Sequence, residues 1–335
     1  MHIRFAEWQR DGNGSGIYIS VENGNIFHPL QEHHSWLKDR FLVIVCPRIR
    51  PGNKKTLLAH RAACRYRDIH SMRKSLMSSY EKCLEIEKCL EIEQVKNFSN
   101  GFSVVLRQTQ SLSVHGEGNI ARLSDFGFEN MNELKQCSIE RCQSMTVIFG
   151  TRSLTQDQIR LPILRNLEKL RISNLLKLTE VCMISTTVPL THGSFGNLKH
   201  LCLEFCPRVV TGFSSGVCLE SLEELKIRFC PRLKEIFAGK VNGEGALDRL
   251  HTISLFDLPV LESIAHNVQL ASLRNAQVKG CPKLHRIPFH RAASANPSDL
   301  AQAIVTGESE WWQRLEWDND TVKQHLHFIP WNRYR

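Results

Sequence analysis

The chain has 335 residues, 42% of them apolar, and 43 Lys and Arg against 34 Asp and Glu give a formal net charge of +9. That length is large for one globular core and ordinary for an array of stacked units. No run reaches the roughly 18 apolar residues of a membrane helix, and the first 30 residues show no apolar stretch behind a basic start. A cytoplasmic or nuclear protein without a membrane span is therefore expected, with its 12 cysteines held as reduced thiols.

Residues 1–100 read as an irregular, basic N-terminal region containing degenerate repeats. Gly12, Gly14 and Gly16 precede the alternating stretch Ile17–Val21, followed by Asn23-Gly24 and Ile26-Phe27, a pattern that predicts a β-hairpin. The glycine spacing fits neither dinucleotide-binding nor P-loop patterns. Phe41 to Cys46 predicts one buried strand, ended by Pro47 and Pro51. Residues 38–74 hold eleven Lys and Arg against Asp39 and Asp68, a local balance of +9 that leaves the remainder near neutral. Such a patch can meet nucleic acid or an acidic membrane surface. Apart from Phe41 of the expected buried strand, only Tyr66 interleaves as an aromatic, so a solvated face, or one meeting an acidic partner domain, is the favoured reading and nucleic acid is not an expected partner. Residues 81–93, EKCLEIEKCLEIE, duplicate EKCLEI, and both helical and strand spacings fit them.

Residues 101–290 carry the organising pattern. Leu219, Leu222, Leu225, Ile227, Cys230, Leu233 and Ile236 occupy the apolar positions of L-x-x-L-x-x-L-x-L-x-x-C-x-x-L-x-x-I, the leucine-rich-repeat template. The same template fits MNELKQCSIERCQSM from Met131, LRNLEKLRISNLLKL from Leu164, FGNLKHLCLEFCPRV from Phe195, LHTISLFDLPVL from Leu250 and LASLRNAQVKGCPKL from Leu270. A fainter unit surrounds Leu106, Leu112, Val114, Ile120 and Leu123. Strand markers at Cys137, Leu170, Leu201, Leu225, Ile253 and Ala276 step by 33, 31, 24, 28 and 23 residues, which puts insertions in loops and keeps the strand register. The expected fold is α/β: a leucine-rich-repeat solenoid with a curved parallel sheet on its concave face and short helices, 3-10 turns and loops on its convex face. Cys142, Cys206, Cys230 and Cys281 fall at the turn, where a thiol packs as an apolar group and donates weakly to a carbonyl.

Residues 291–335 read as a linker, RAASANPSD, and a tryptophan-rich cap. Trp311, Trp312, Leu315 and Trp317 have helix-compatible spacing, suited to closing the open end of a repeat stack.

Side chains alternate across a strand, so the outward positions follow from the inward leucines. They are Lys169, Arg171 and Ser173; His200, Cys202 and Glu204; Glu224, Lys226 and Arg228; Thr252, Ser254 and Phe256; and Asn275, Gln277 and Lys279. This mixed, centrally basic set with Phe256 as an aromatic anchor suits a protein partner better than a small-molecule substrate. No catalytic, cofactor-binding or metal-ligating set is expected. G-x-S-x-G, H-E-x-x-H and kinase motifs do not occur, and the Cys137/Cys142 and Cys202/Cys206 spacings follow from strand and turn. His33-His34, His325 and His327 complete no zinc pattern. The chain is not expected to be an enzyme.

The repeats with Cys206-Pro207, Cys230-Pro231 and Cys281-Pro282 resemble the C-terminal leucine-rich-repeat region of plant intracellular NB-ARC (NLR) disease-resistance proteins. The tail at Gly307, Glu308, Trp311, Trp312, Leu315, Trp317 and Asp318 is similar to the segment closing that region in cereal members. The family's P-loop, G-L-P-L and M-H-D motifs do not occur, and Pro51–Thr56 lacks the spaced glycines, so its nucleotide switch is not carried over. The resemblance implies a defence protein whose repeats bind a pathogen effector, a guarded host protein or an NB-ARC domain in another chain. The alternatives are a substrate adaptor or scaffold, for instance in ubiquitin ligation, and a gene fragment without retained activity.

Overall fold

The computed structural model describes residues 102–116, 120–150, 162–183, 193–213, 217, 219–240, 246–266, 268–289, 303–317, 323 and 326–331, with strand backbones at 4–9, 15–20, 41–45 and 88–93. The chain divides into two compact units, Met1–Ser113 and Val114–Arg335.

In the first unit β1 (Arg4–Gln9) runs antiparallel to β2 (Ser15–Ser20), which pairs in parallel with β3 (Phe41–Val45), itself parallel to β4 (Lys88–Glu93). The alternating Ile17–Val21 stretch thus falls largely on β2, whose hairpin partner lies upstream; Asn23-Gly24 and Ile26-Phe27 are outside the described residues. The basic stretch 38–74 is described only at β3. The duplicated EKCLEI resolves as a strand in its second copy, where Leu90 and Ile92 are buried; the first copy lies outside the described residues. Helix α1 (Phe102–Leu106) buries Phe102, Val105 and Leu106, and β5 (Ser111–His115) follows across the unit boundary.

The second unit alternates between two sheets. Along the chain come β6 (Gln136–Glu140), β7 (Val147–Gly150), β8 (Lys169–Ser173), β9 (Glu180–Met183), β10 (His200–Glu204), β11 (Thr211–Phe213), β12 (Glu224–Arg228), β13 (Glu235–Lys240), β14 (Thr252–Phe256), β15 (Ser263–His266) and β16 (Asn275–Lys279). Strands β6, β8, β10, β12, β14 and β16 pair in that order, all parallel, with Leu170, Leu201, Leu225, Ile253 and Ala276 in one register line and Ile172, Leu203, Ile227, Leu255 and Val278 in the next. All ten are buried, as are the template positions in the turns. The expected leucine-rich-repeat solenoid is therefore the fold of this unit.

Each repeat enters its strand through the same tight turn. Leu167, Leu198, Leu222 and Leu250 donate their N–H groups to the carbonyls of Leu164, Phe195, Leu219 and Leu247, three residues back. The residue before each strand then binds the next repeat: Lys199 O accepts from Glu223 N and Glu224 N, and Glu223 O from His251 N and Thr252 N. Leaving the strand, one residue per repeat adopts left-handed backbone: Gly116 (φ 63°), Arg141 (56°), Asn174 (56°), Phe205 (55°), Phe229 (54°), Asp257 (53°) and Gly280 (66°). Its N–H donates to the last strand carbonyl of the following repeat, as in Phe205 N to Arg228 O at 3.0 Å and Phe229 N to Phe256 O at 2.9 Å, except at Gly280, whose N–H donates to Glu308 Oε2 at 3.1 Å. The turn cysteine comes next. Its thiol donates back to the carbonyl two residues earlier, at 3.4 Å for Cys206, 3.3 Å for Cys230 and 3.4 Å for Cys281, while its carbonyl closes a second turn. Leu175 and Leu258 fill the same buried position without a donor.

The return side carries the expected 3-10 helices, at Leu123–Phe126 and Phe128–Met131, and tight turns, and adds strands that were not expected. Strands β7, β9, β11, β13 and β15 form a second parallel sheet, with Glu180, Thr211, Glu235 and Ser263 in register. Only a few residues separate each turn from this strand, too few for a stable helix. The available residues, such as Val147-Ile148-Phe149 and Ile236-Phe237, are β-branched and aromatic, which favours extended backbone. The rings stack between repeats: Phe149 meets Phe195 edge-on at 5.4 Å, and Phe213 lies on Phe237 at 5.6 Å.

Where the sequence reads as linker and cap, β17 (Ala303–Gly307) and β18 (Leu326–Pro330) extend the first sheet past β16, again in parallel. Between them, α2 (Ser309–Arg314) buries Trp311, whose indole N–H donates to Leu284 O at 2.8 Å. A Cβ on Gly307 would lie 2.7 Å from the Trp311 ring, so glycine is what admits the indole. Trp312 stacks on Phe328 at 4.6 Å and meets Trp317 edge-on at 5.1 Å. Among the described residues no helix is long and apolar enough to cross a membrane.

Leu225 sits in register between Leu201 and Ile253 and is fully buried. Leu225→Asp places an unpaired carboxylate in that row and is expected to cost more than ~3 kcal/mol. Thermal unfolding followed by circular dichroism should show a lost or sharply lowered transition; an unchanged melting curve contradicts the register.

Candidate functional site

The register arranges the outward residues in three rows across the sheet. The first is Gln136, Lys169, His200, Glu224, Thr252 and Asn275; the second Ser138, Arg171, Cys202, Lys226, Ser254 and Gln277; the third Glu140, Ser173, Glu204, Arg228, Phe256 and Lys279. All fifteen sequence-selected residues therefore share one face. Three of them, Ser173, Glu204 and Ser254, are nevertheless covered by longer neighbours.

Glu204 is the electrostatic hub. Arg171 Nη2 lies 3.4 Å from its Oε2, and Lys226 Nζ and Arg228 Nε lie 3.8 and 3.9 Å from its Oε1. The carboxylate is 12% exposed and the cations 33 to 50%, so the acid is withdrawn and the bases reach solvent. One acid against three bases leaves a local charge of about +2 facing out.

The third row continues as an aromatic ladder. The Arg228 guanidinium sits 4.6 Å over the Phe256 ring, Phe256 meets Trp331 edge-on at 5.8 Å, and Lys279 Nζ lies 5.6 Å over Trp331. Trp331 is pinned by its indole N–H, which donates to Val278 O at 3.1 Å. Phe256 is thus held between a cation and a tryptophan rather than standing free as an anchor.

In the first row His200 Nδ1 is 3.2 Å from Glu224 Oε2. Hydrogen bonding from His200 holds the Glu224 carboxyl below its ordinary value, opposed by partial burial; Glu140 is lowered in the same way by His115. On the second row, burial pushes the Cys202 thiol up to about 11, with Glu204 adding to the shift, so it stays protonated at neutral pH. Burial likewise raises Cys137 and Cys281 to about 12. No group of three or more His, Cys, Asp or Glu suited to a metal ion occurs among the described residues.

Sequence reasoning missed Phe205 and Phe229, which stack at 4.5 Å and 14° while remaining 46% and 40% exposed. Aligning the residue before each turn cysteine or leucine would have found them. That position holds Asn174, Asp257 and Gly280 in other repeats, residues suited to left-handed backbone, whereas phenylalanine there is strained by about 1 kcal/mol or more.

Removing the hub acid should expose the cost of gathering its three bases. Glu204→Gln is expected to destabilise the unit by about 1 kcal/mol. The loss should be larger at low salt than at high salt, where the unbalanced cations are screened, as urea denaturation at both would report. His200→Ala should raise the Glu224 titration midpoint, read by NMR of its side-chain carboxyl. A lowered folded-state pKa adds stability that is full above the ordinary carboxylate range and fades as pH falls through the lowered value; the variant loses this acid-side contribution.

The family model for plant disease resistance protein RPS2-like leucine-rich repeats matches residues 68–214 and 183–295, about two-thirds of the chain together. Among relatives, the Arabidopsis thaliana disease resistance protein At4g19050 is 30% identical over 182 residues, 53% of this chain and 14% of the relative. Disease resistance proteins At4g27190 and SUMM2, also from Arabidopsis thaliana, are each 24% identical over 58% of this chain, and 19% and 22% of their own length is matched. The chain thus spans less than a quarter of the length of these relatives. Among solved structures, the leucine-rich repeat domain of the type III effector XopL aligns with 69% of this chain and 80% of that one, at 18% identity and a TM-score of 0.39. The chain belongs to the RPS2-like leucine-rich-repeat family of plant disease resistance proteins.

Proposed function

We propose that this chain is a defence-related recognition module that binds a protein partner through the outward face of β8, β10, β12, β14 and β16. The observation that carries the reading is the solvent-facing cationic set Arg171, Lys226 and Arg228, gathered by one register across three repeats around a single covered acid. Rows of charged side chains held in register across a parallel sheet suit a complementary protein surface. Binding rather than turnover is its task, and the cytoplasm is the compartment we assign to it. The partner is a pathogen effector, a guarded host protein or the NB-ARC domain of another chain, and the charge pattern favours an acidic surface on it.

The test is affinity purification of the tagged chain from plant tissue, with the Lys226→Glu, Arg228→Glu double variant beside it. Both side chains face the covered Glu204 carboxylate, so the reversal is expected to lower the melting temperature, and Lys226→Gln with Arg228→Gln, which adds no acid beside Glu204, is run with it as the folded control. A partner captured by the native chain should be lost, or weakened at least about tenfold, with the variant. Equal capture by a folded variant removes the outer face from recognition.

A further inference from the structure

The outer face is bordered by a feature that recognition by charged rows does not use. At the exit from β10 and β12 the chain writes the same four residues twice, Phe205-Cys206-Pro207-Arg208 and Phe229-Cys230-Pro231-Arg232. The cysteines face the core, and their repeats sit in register. What remains outward is a stacked aromatic pair, and Arg208 and Arg232, three residues further on, are both exposed. In the preceding repeat Leu176 and Lys177, both exposed, take the positions matching Pro207 and Arg208. Apolar and cationic side chains thus recur side by side over three consecutive repeats.

Stability does not account for the phenylalanines. Both are at positive φ, where Asn174 and Gly280 serve other repeats with less steric conflict, and both leave large apolar surface in water. Their stack fixes two rings in one plane pair at no further conformational cost on binding, and aromatic residues beside arginine are what interface centres are made of.

Resting on the recognition reading above and narrowing it, we propose that the Phe205–Phe229 stack is the docking point for an acidic protein segment bearing an aromatic side chain. The aromatic lies on the exposed ring edge and face, and its acidic neighbours meet Lys177, Arg208 and Arg232. Charge complementarity selects this occupant over a second copy of the chain, whose matching ridge would bring the same cations face to face.

The experiment uses the purified full chain and three fluorescein-labelled peptides: one alternating Asp-Glu with Trp, one with Lys in place of the acids, and one with Ser in place of Trp. Fluorescence anisotropy should show binding of the first at least about tenfold tighter than either control. Phe205→Asn with Phe229→Asn should remove that preference while leaving the melting temperature equal or higher, because asparagine accepts left-handed backbone more readily. Arg208→Glu with Arg232→Glu should remove it through charge alone. A lowered melting temperature in the asparagine variant would reassign the stack to stability and overturn the proposal. So would undiminished peptide binding, no discrimination among the peptides, or a native dimer in sedimentation that the asparagine variant dissolves. If the ridge fails while a captured partner still depends on Lys226 and Arg228, recognition stays on the sheet face and only the docking point is withdrawn.

Discussion

The structure depends on a row of leucines that have no partners within their own repeat. Leu225 and Ile227 leave their strand on one side and meet Leu201, Leu203, Ile253 and Leu255 from the strands on either hand. A single unit would expose these side chains, so burial comes only from neighbours about 4.8 Å away, and only if backbone and side chains stay in step. Two backbone ladders keep that step. Carbonyls before the strands, such as those of Lys199 and Glu223, each take two N–H groups of the next repeat. Left-handed residues after the strands send their N–H groups the same way. A slip of one residue would break both ladders and turn every inward leucine to water.

The same register makes the candidate site. Arg171 and Glu204 are distant in sequence, as are Arg228 and Phe256, yet each pair touches because equal strand offsets bring them to adjacent rungs. The fold constrains the inward rows tightly and the outward rows only through their neighbours. Charges can therefore be written along those rows with little penalty to the core. Glu204 is the exception: surrounded by three bases, it is drawn under them and lost as an exposed acid. Basic character at the surface is in this sense a packing result as well as a compositional one.

What the sequence disclosed follows from this. Leucine offsets and turn cysteines are imposed by burial, so they repeat, and the strands, their inward residues and the shared outward face were all readable. The second sheet was not, because strands such as Thr211–Phe213 are too short to carry a period of their own. Strand β17 escaped because Ile304 and Val305 lack the leucine frame, although they pair in register with Asn275 and Ala276 of β16. The aromatic ladder of Phe256 and Trp331 joins residues far apart in the chain, beyond any local pattern. Ser173 and Ser254 were correctly placed on the outward rows, but their small side chains lie beneath larger ones, which alternation alone does not reveal.

The exit position from each strand separates what the fold demands from what it merely permits. Its backbone is forced left-handed by the ladder bond on one side and the buried turn residue on the other, whatever side chain is present. Glycine, asparagine and aspartate meet that demand at low cost, and they occupy it at Gly116, Asn174, Asp257 and Gly280. Arg141 meets it with its guanidinium turned back to Glu140 at 3.3 Å, a local charge contact offsetting part of the strain. Phe205 and Phe229 stack on each other instead, and much of each ring is still in water. Two neighbouring repeats thus carry strain and exposed apolar area together, beside the most cationic part of the outer face. A stack of equivalent repeats offers no packing reason for that coincidence, and a surface that meets a partner does.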